Sequence, residues 1–574
     1  MPDIPVLGDE AVALGAIDAG VSIAYGYPGT PSTEILEYLE QYRDTHDHEL
    51  IARWCANEKT AAEGAVGVSY AGKRSLVTMK HVGLNVAMDA FINACIVKIH
   101  GGLVFAVADD PGMHSSQNEQ DTRYIADFAR TILLEPRNHQ EAYEMTREAF
   151  ALSERFHVPV VVRLVTRLSH SRAAITRQPA VAKSDLGTAT DRVDWMTLPA
   201  LARKGWARLL EQQSEFVAWS EGSPFNRIDL GGGAADAGTG AKDFVTGGPD
   251  SMTGAEDSVT GGPDPVTDGS DLGVITSGLG GNYYDENLAD LPSPPKRLHI
   301  ATYPIPVGLV RRLADEVSRI LVIEEGYPYI EDHLRSILGD PKPINGKMDG
   351  TVPATGELNP DNVRPALGLP PRAAVGTPSF TLPPRPPQLC AGCPHTDSFR
   401  ALNTARATLP SSIVTSDIGC YALGALPPHN AVETILCMGA SVGMAKGAAD
   451  AGRPNVVATI GDSTFFHSGI PGLIDAVAAG VNMTVMILDN GTTGMTGGQD
   501  TVLGGNRIRE VAIGCGVDPD HIVLFDPVPR NHDENVRLIE NELAYDGVSV
   551  IIPVRECVQT KVRRARQQRK GAAR

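Results

Sequence analysis

The sequence predicts an α/β protein made of several domains, each a doubly wound parallel sheet. Three observations lead to this prediction. The chain has 574 residues, which is more than one hydrophobic core usually holds. Short apolar runs bounded by turn residues alternate with helical patterns near both ends of the chain. These runs are mostly apolar and do not alternate with polar residues, so we expect helices to cover both faces of each sheet.

The first domain is predicted over residues 1–175. Ser32 is a capping residue type, and the apolar spacing after it predicts a helix. Small residues in AAEGAVGVSYAG predict a second helix, packed closely on a sheet. The predicted strands of this domain are RSLVTMK, GGLVFAVAD, ARTILLEP and VPVVVRLV.

Residues 176–270 are predicted to be a linker that ends in an acidic loop. In this loop VTGGPD occurs at 245–250 and again 14 residues later. The Gly, Pro and Asp content predicts disorder. A further α/β domain is expected over 271–345, followed by a proline-rich connector over 346–384.

The last domain is predicted over residues 385–560, because strand and helix patterns alternate there from VVATIGD to VSVIIPVRE. Residues 561–574 are basic and polar, and we expect them to be a mobile tail.

The composition argues against two classes of protein, those that bind nucleic acids and those that lie in a membrane. The net charge of −19 argues against a nucleic-acid-binding protein, which needs clustered Lys and Arg. The sequence has no apolar run of about eighteen residues and no signal-peptide pattern at its start, so we expect a cytoplasmic protein that is not bound to a membrane. The acidity fits a salt-adapted host and ordinary solubility equally well.

The cysteines predict metal or redox chemistry. Eight cysteines are too few for a disulfide scaffold in a chain of this length. Cys390 and Cys393 form a CxxC pair, and Cys420 follows 27 residues after it.

A magnesium site is predicted where two apolar runs end. Gly461, Asp462 and Ser463 follow VVATI, and Asn490 follows VMIL, 28 residues after Asp462. A carboxylate, an amide oxygen and the carbonyl of Thr492 are ligands that Mg²⁺ accepts, and the glycines allow a diphosphate to approach. This spacing resembles the thiamine-diphosphate signature, although Gly-Asp-Ser alone would also fit an ordinary turn.

Thiamine diphosphate also needs a carboxyl group at N1' of its pyrimidine, usually from a second α/β domain. Glu58, in NEKTAAEGA, is the candidate. The alternative is a solvated first-turn residue that the helix dipole stabilises.

Several long motifs resemble the large subunit of indolepyruvate:ferredoxin oxidoreductase. They span about residues 5–175 and 385–560 in the family's order. The motifs are YGYPGTPSTEI, NEKTAAEGA, TMKHVGLN, CAGCPH, SDIGCY and GDSTFFHSGI. The resemblance implies a pyrimidine-binding thiamine-diphosphate domain over 1–175, a transketolase-C-terminal-like domain over 271–345 and a diphosphate-binding domain over 385–560.

The resemblance also implies an activity and partners. The expected reaction is oxidative decarboxylation of aryl-pyruvates to acyl-CoA and CO₂ through a thiamine-diphosphate enamine, with coenzyme A as co-substrate. A [4Fe–4S] cluster would pass electrons to ferredoxin or another acceptor. A smaller subunit of the indolepyruvate oxidoreductase beta type is expected, in a hetero-oligomer that contains two large subunits.

The family's site residues map onto positions of this chain. Thr30 lies near the substrate carboxylate or caps a helix. His467 belongs to the diphosphate region or is a satisfied buried histidine. Apart from the resemblance, Lys80 and His81 lie at a predicted strand end, where ligands of α/β sheets gather. We expect one of them to contact substrate or coenzyme A, with a surface charge as the alternative. The positions expected around the cofactor are Asp417, Cys420, Gly439, Gly461, Asp462, Ser463, Asn490 and Thr492.

By the same resemblance, Cys390, Cys393 and Cys420 are three ligands of the [4Fe–4S] cluster. Cys557 is the preferred fourth ligand, with Cys437 and Cys515 as rivals that otherwise pack in apolar surroundings. A zinc site or a redox-inert role is the alternative. The remaining two cysteines, Cys55 and Cys95, are expected in the core.

The sequence departs from the family in one respect. It has no CxxCxxCxxxC run, so electrons are expected to leave by a different route than a ferredoxin-like domain. The basic tail is either solvated or attracts an acidic electron carrier electrostatically. A non-oxidative thiamine-diphosphate decarboxylase or carboligase is the alternative function, and a catalytically silent assembly subunit is the third.

Overall fold

A computed structural model describes residues 3–46, 49–231, 271–339, 342–372, 387–409, 411–504 and 506–572. The chain divides into two compact units. The N-terminal unit comprises Met1–Trp54 and Glu58–Thr377, and the C-terminal unit comprises Cys55–Asn57 and Pro378–Arg574. A bilayer-spanning segment is not found among the helices in the described part of the chain.

The N-terminal unit alternates strands with helices, as the sequence predicts. Its strands are β1 Ile4–Leu7, β2 Ile23–Gly26, β3 Ile51–Trp54, β4 Ser75–Lys80, β5 Leu103–Asp109, β6 Ile132–Leu134, β7 Val160–Val165, β8 Arg172–Ile175, β9 Arg227–Asp229, β10 Leu272–Ser277, β11 Lys296–Ile300, β12 Thr302–Tyr303, β13 Arg319–Ile323 and β14 Ile344–Asn345. Its helices are α1 Gly8–Asp18, α2 Thr33–His46, α3 Glu58–Tyr70, α4 His81–Val86, α5 Met88–Ile96, α6 Thr122–Phe128, α7 His139–Phe156, α8 Thr166–His170, α9 Pro199–Glu211, α10 Gln213–Glu221, α11 Gly280–Asp285, α12 Val307–Asp315, α13 Tyr329–Ile337 and α14 Pro360–Val363.

A seven-stranded sheet forms the first layer of this unit, in the order β12-β6-β7-β5-β4-β2-β3. All of its pairs are parallel except that of β12 with β6. Every residue of β4, β5, β6 and β7 is buried, which explains why these segments are mostly apolar in the sequence.

A five-stranded sheet follows, in the order β14-β13-β10-β11-β9. Its edge strand β9 comes from the range predicted as a linker and pairs antiparallel with β11. The strand β12, from the range 271–345, pairs instead with β6 of the first sheet. Short edge strands thus cross the predicted boundaries, because pairing depends on neighbours distant in sequence. Both VTGGPD copies lie outside the described residues.

The C-terminal unit also alternates strands with helices. Its strands are β15 Ile413–Ser416, β16 Thr434–Ile435, β17 Val456–Gly461, β18 Met483–Leu488, β19 Thr492–Thr493, β20 Gln499–Asp500, β21 Ile522–Phe525 and β22 Val548–Pro553. Its helices are α15 Pro394–Arg406, α16 Ala440–Asp450, α17 Asp462–Thr464, α18 Ile470–Ala479, α19 Asn506–Gly514, α20 His532–Leu543 and α21 Val558–Ala572. Most of the segment expected to be a mobile tail lies in α21.

The six-stranded sheet of this unit is parallel throughout, in the order β16-β15-β17-β18-β22-β21. Alternate residues of β17 enter two separate cores. Ala458 and Ile460 join one core, and Val457 joins the other. Helices therefore cover both faces of the sheet, and the predicted α/β class with doubly wound parallel sheets is confirmed.

Candidate active site

The candidate site of the C-terminal unit lies at the carboxyl ends of β17 and β18. Their parallel register pairs Gly461 with Leu488, so the next residues, Asp462 and Asp489, lie at the same edge. Asp462 is 3% exposed and Asp489 4% exposed. Asp462 and Asp489 are therefore distant in sequence but close in space, because the two strands run in the same direction and pair in register.

Asp462 organises this edge through two backbone hydrogen bonds. Its Oδ1 accepts from the N–H of Ser463 at 2.8 Å, and its Oδ2 accepts from the N–H of Gly491 at 2.8 Å. The second bond joins the end of β17 to the loop after β18. Gly491 has φ +72°, a left-handed conformation that glycine adopts without strain.

The charge at this edge fits a bound cation. Burial raises the pKa of Asp462 well above its ordinary value, and the neighbouring Asp489 carboxylate raises it further. Two buried carboxylates destabilise each other unless a positive charge lies between them. A divalent cation reverses this effect, and oxygen donors are the set that Mg²⁺ takes.

Asn490 is held by a histidine that sequence reasoning missed. Its Nδ2 lies 3.1 Å from Nε2 of His395, and its Oδ1 accepts from the N–H of Thr492 at 3.0 Å. Burial lowers the pKa of His395 to about 4, so the ring is neutral and its Nε2 can accept the amide hydrogen. His395 therefore fixes which way the amide of Asn490 faces.

Thr492 and Ser463 close the same loop. Thr492 is 2% exposed, and its Oγ1 donates to the carbonyl oxygen of Gln499 at 2.9 Å. Thr493 Oγ1 donates to Ser463 Oγ at 3.1 Å. These bonds hold the β19–β20 hairpin against the Gly-Asp-Ser turn.

Asp417 and Gly439 lie at the end of β15 and the start of α16. Ser441 donates to Asp417 Oδ2 from its hydroxyl at 2.6 Å and from its backbone N–H at 3.3 Å, and Tyr421 donates to the other carboxylate oxygen. Burial raises the pKa of Asp417 to about 6 despite these bonds. Gly439 has φ +83°, and a Cβ there would lie 2.5 Å from Cβ of Ser468.

His467 lies in a π-helical turn, Phe465–Gly469, directly after α17. It is 5% exposed, and its Nδ1 shares a hydrogen bond with the hydroxyl of Ser468. Such turns widen a helix and are frequent at functional sites.

Four cysteines lie in one neighbourhood of the C-terminal unit. Burial raises the pKa of the Cys420 thiol to about 12, and the nearby thiols of Cys393, Cys557 and Cys390 add to this shift. Cys420 Sγ would lie 3.2 Å from a Cβ at Gly494, in the loop that follows Asn490. Of the two rivals, Cys515 packs against a hydrophobic core, and Cys437 is exposed.

The CxxC turn is tied to the end of β22. Arg555 donates to the carbonyl oxygen of Gly392 at 3.0 Å and to Asp397 Oδ2 at 2.9 Å. The backbone N–H of Cys557 donates to the carbonyl oxygen of Asn490 at 3.1 Å. Among the described residues, no three of these sulfurs lie within 4.8 Å of one another.

Glu58 is the candidate carboxyl group of the N-terminal unit. It is the first residue of α3 and is 4% exposed, so it is not a solvated first-turn residue. A Cβ at Gly83 of α4 would lie 2.6 Å from Glu58 Oε1. Only glycine therefore leaves room for this carboxylate.

Thr30, Lys80 and Ser115 meet at the carboxyl edge of the seven-stranded sheet. Ser115 Oγ donates to the carbonyl oxygen of Thr30 at 3.1 Å, and Lys80 Nζ donates to the carbonyl oxygen of Ser115 at 3.1 Å. Burial lowers the pKa of Lys80 to about 8, although the Asp110 and Glu58 carboxylates oppose this shift. Lys80 is thus no ordinary surface charge.

His81 follows Lys80 and is fully buried. Its Nε2 lies 3.1 Å from the carbonyl oxygen of Asn118, while its Nδ1 has no hydrogen-bond partner among the described residues.

Sequence reasoning missed three residues of the C-terminal site. They are Asp489, His395 and Tyr421, whose ring lies where a Cβ of Gly461 would be. The available signals were the carboxylate directly before Asn490 and the Pro-His that follows the CxxC pair.

Two family models match the chain. Residues 14–194 match pyruvate flavodoxin/ferredoxin oxidoreductase, thiamine diP-bdg. Residues 417–551 match thiamine pyrophosphate enzyme, C-terminal TPP binding domain. The second match includes Asp417, Asp462 and Asn490.

Curated relatives match nearly the whole chain. It is 36% identical, over 96% of its length and 86% of the relative, to indolepyruvate oxidoreductase subunit IorA of Archaeoglobus fulgidus. It is 35% identical, with the same two coverages, to that subunit of Methanothermobacter thermautotrophicus. With the subunit of Pyrococcus abyssi the identity is 34%, over 98% of this chain and 87% of the relative.

Proposed function

Since the chain belongs to the family of indolepyruvate oxidoreductase subunit IorA, we propose that it oxidises aryl-pyruvates such as indolepyruvate. The coarser activity is thiamine-diphosphate-dependent oxidative decarboxylation of 2-oxoacids. This activity is supported in the structure by the sheet edge where the buried residues Asp462, Asp489 and Asn490 lie together. To this activity we add, as proposals, the aryl substrate, Mg²⁺, the [4Fe–4S] cluster, coenzyme A and the partner subunit.

Thiamine diphosphate, when bound, supplies a carbanion that attacks the 2-oxo carbon and holds the electrons left by CO₂ loss. In the C-terminal unit, Asp462, Asn490 and the Thr492 carbonyl would hold its Mg²⁺. Ser463 and Gly439 would lie by the diphosphate, where backbone N–H groups and the start of α16 favour negative charge.

Glu58 would hold a proton at N1' of the pyrimidine. Its burial supports this role, because a hydrogen bond to N1' is stronger where water does not compete for it. Thr30 would bind the substrate carboxylate through its hydroxyl, with the Lys80 ammonium nearby. His467 would act beside the diphosphate as a proton donor or acceptor.

Gly83→Ala tests the position of Glu58. The new methyl group would lie 2.6 Å from Glu58 Oε1, so the carboxylate must move. We expect 2-oxoacid oxidation to fall about 100-fold, as misplacing a catalytic group by about 1 Å does, while the protein still binds thiamine diphosphate and Mg²⁺. Steady-state kinetics and calorimetric binding measure the two effects.

Gly67→Ala is the matched control, because nothing lies within 4 Å of a Cβ at this position of α3. It should keep full activity. Equal losses in both variants, or full activity in Gly83→Ala, would show that Glu58 does not need its present position.

We also propose that Cys390, Cys393, Cys420 and Cys557 hold a [4Fe–4S] cluster. A cluster puts each thiolate on a different iron, so its ligands lie farther apart than those of one ion. The contacts of Cys420 with Gly494 and of Cys557 with Asn490 support a cluster next to the diphosphate loop, where electrons would arise.

Cys557→Ser should lower iron and acid-labile sulfide to well below the wild-type content in anaerobically purified protein, because one thiolate ligand is lost. The visible absorbance should fall with it. Cys515→Ser, at a similarly half-buried cysteine, is the control and should retain both. Retention of the full cluster in Cys557→Ser would assign the fourth ligand elsewhere.

The function itself is tested by an anaerobic screen of 2-oxoacids with coenzyme A and a low-potential dye, using the chain purified with its co-produced smaller subunit. Aryl-pyruvates should reduce the dye fastest and yield acyl-CoA. Aldehyde release without dye reduction would favour the non-oxidative decarboxylase. The smaller subunit and a ferredoxin-like acceptor are the partners we propose.

A further inference from the structure

Three potential metal ligands meet in the N-terminal unit, away from the residues assigned above. They are Asp9 in the first turn of α1, Glu34 in the first turn of α2 and His170 at the end of α8. One ligand atom of each lies within 4.8 Å of the other two. Acidic clusters are common in proteins that bind no metal there. The burial and the hydrogen bonding of Asp9 therefore decide whether this cluster is a metal site.

Asp9 is 0% exposed, and neither of its carboxylate oxygens accepts a hydrogen bond of normal geometry among the described residues. Buried polar atoms nearly always have such partners, because an unpaired carboxylate is costly away from water. Burial and the charge of Glu34 raise the pKa of Asp9 well above its ordinary value, and the Ser169 hydroxyl offsets this only in part.

The backbone forces Asp9 into this position. A Cβ at Gly8 would lie 2.1 Å from the carbonyl oxygen of Leu168, so α1 contacts α8 as closely as a glycine allows. This approach places the next residue, Asp9, against Ser169 and His170. The unpartnered carboxylate is therefore aimed at the other two ligands.

Glu34 and His170 complete the cluster from a more open side. Glu34 Oε2 lies 3.5 Å from His170 Nε2, and their side chains are 35% and 36% exposed. Part of each of these two side chains is therefore open to solvent, whereas Asp9 is not. When a divalent ion displaces the protons from the carboxyl groups and the imidazole, the three groups carry two negative charges, which the ion balances.

We propose that Asp9, Glu34 and His170 bind a divalent first-row transition metal such as Mn²⁺ or Zn²⁺. Two carboxylate oxygens with one imidazole nitrogen suit these ions better than Mg²⁺, which prefers oxygen ligands alone. Three protein ligands leave the remaining positions to water. The ion would cross-link α1, α2 and α8 and so fix the loop before α2, which contains Thr30.

Mn²⁺ uptake tests this site. Full-length protein, stripped with EDTA and free of thiamine diphosphate, is titrated with Mn²⁺ while the electron paramagnetic resonance signal of free Mn²⁺ is recorded. Wild type should bind one more Mn²⁺ per chain than Asp9→Asn. The affinity lost should be at least the roughly 10- to 100-fold that removing an outer-shell partner of a metal costs.

Asp462→Asn is the control, because it removes the proposed cofactor-site ligand and should keep the Mn²⁺ bound at Asp9. His170→Gln is a second variant at a half-exposed position, in case Asp9→Asn fails to fold, and it should lose the same ion. Mn²⁺ should also raise the Tm of wild type and of Asp462→Asn by more than it raises the Tm of Asp9→Asn or His170→Gln. Equal Mn²⁺ uptake by wild type, Asp9→Asn and His170→Gln would overturn the proposal.

Discussion

Glu58→Gln will lower kcat for 2-oxoacid oxidation by roughly 10²- to 10⁴-fold, the range that a positioned acid or base contributes. Glutamine keeps the size of the side chain, so it fits beside Gly83, but it cannot exchange a proton with N1' of the pyrimidine. Binding of thiamine diphosphate and Mg²⁺ should persist, because the residues proposed to hold the diphosphate are unchanged.

Glu63→Gln is the matched control for this loss. Glu63 lies in the same helix, pairs with Lys59 and has a 49% exposed side chain. Its replacement should leave kcat unchanged. A Glu58→Gln enzyme with near wild-type kcat would remove Glu58 from the reaction, and a loss of cofactor binding would show a structural role instead.

Asp462→Asn should weaken thiamine-diphosphate binding in the presence of Mg²⁺ at least 100-fold, by the order of magnitude that perturbing a metal site costs. The change removes the charge nearest the proposed ion and also disturbs the hydrogen bonds from Ser463 and Gly491. Calorimetric titration of cofactor-free protein measures the affinity directly.

Asp475→Asn controls for the loss of a carboxylate, since Asp475 is an exposed residue of α18 in the same unit. Circular dichroism should show both variants folded. If Asp462→Asn binds thiamine diphosphate as tightly as Asp475→Asn does, the proposed magnesium site is wrong.

Local patterns in the sequence were sufficient for the strands and for the main cofactor motif. The strands β4 to β7 are buried on both faces, so each is a mostly apolar run. Asp462 and Asn490 follow neighbouring parallel strands in register, so their spacing along the chain predicts proximity. Both inferences depend only on short segments and on the direction of the strands.

Features made by distant segments were not predictable in this way. His395 contacts Asn490 across 95 positions of the chain, and β9 and β12 join sheets outside their predicted segments. The room that Gly83 leaves for Glu58, and the burial of Asp9 against α8, depend on how closely two backbones approach. No local pattern encodes that distance.

This chain decarboxylates a 2-oxoacid with thiamine diphosphate. Release of labelled CO₂ from carboxyl-labelled indolepyruvate, by cofactor-stripped protein with its smaller subunit, coenzyme A and an electron acceptor, tests it most directly. We expect release only when thiamine diphosphate and Mg²⁺ are both added, and a greatly reduced rate in Glu58→Gln. Equal release without thiamine diphosphate, or none with every component present, would contradict the account.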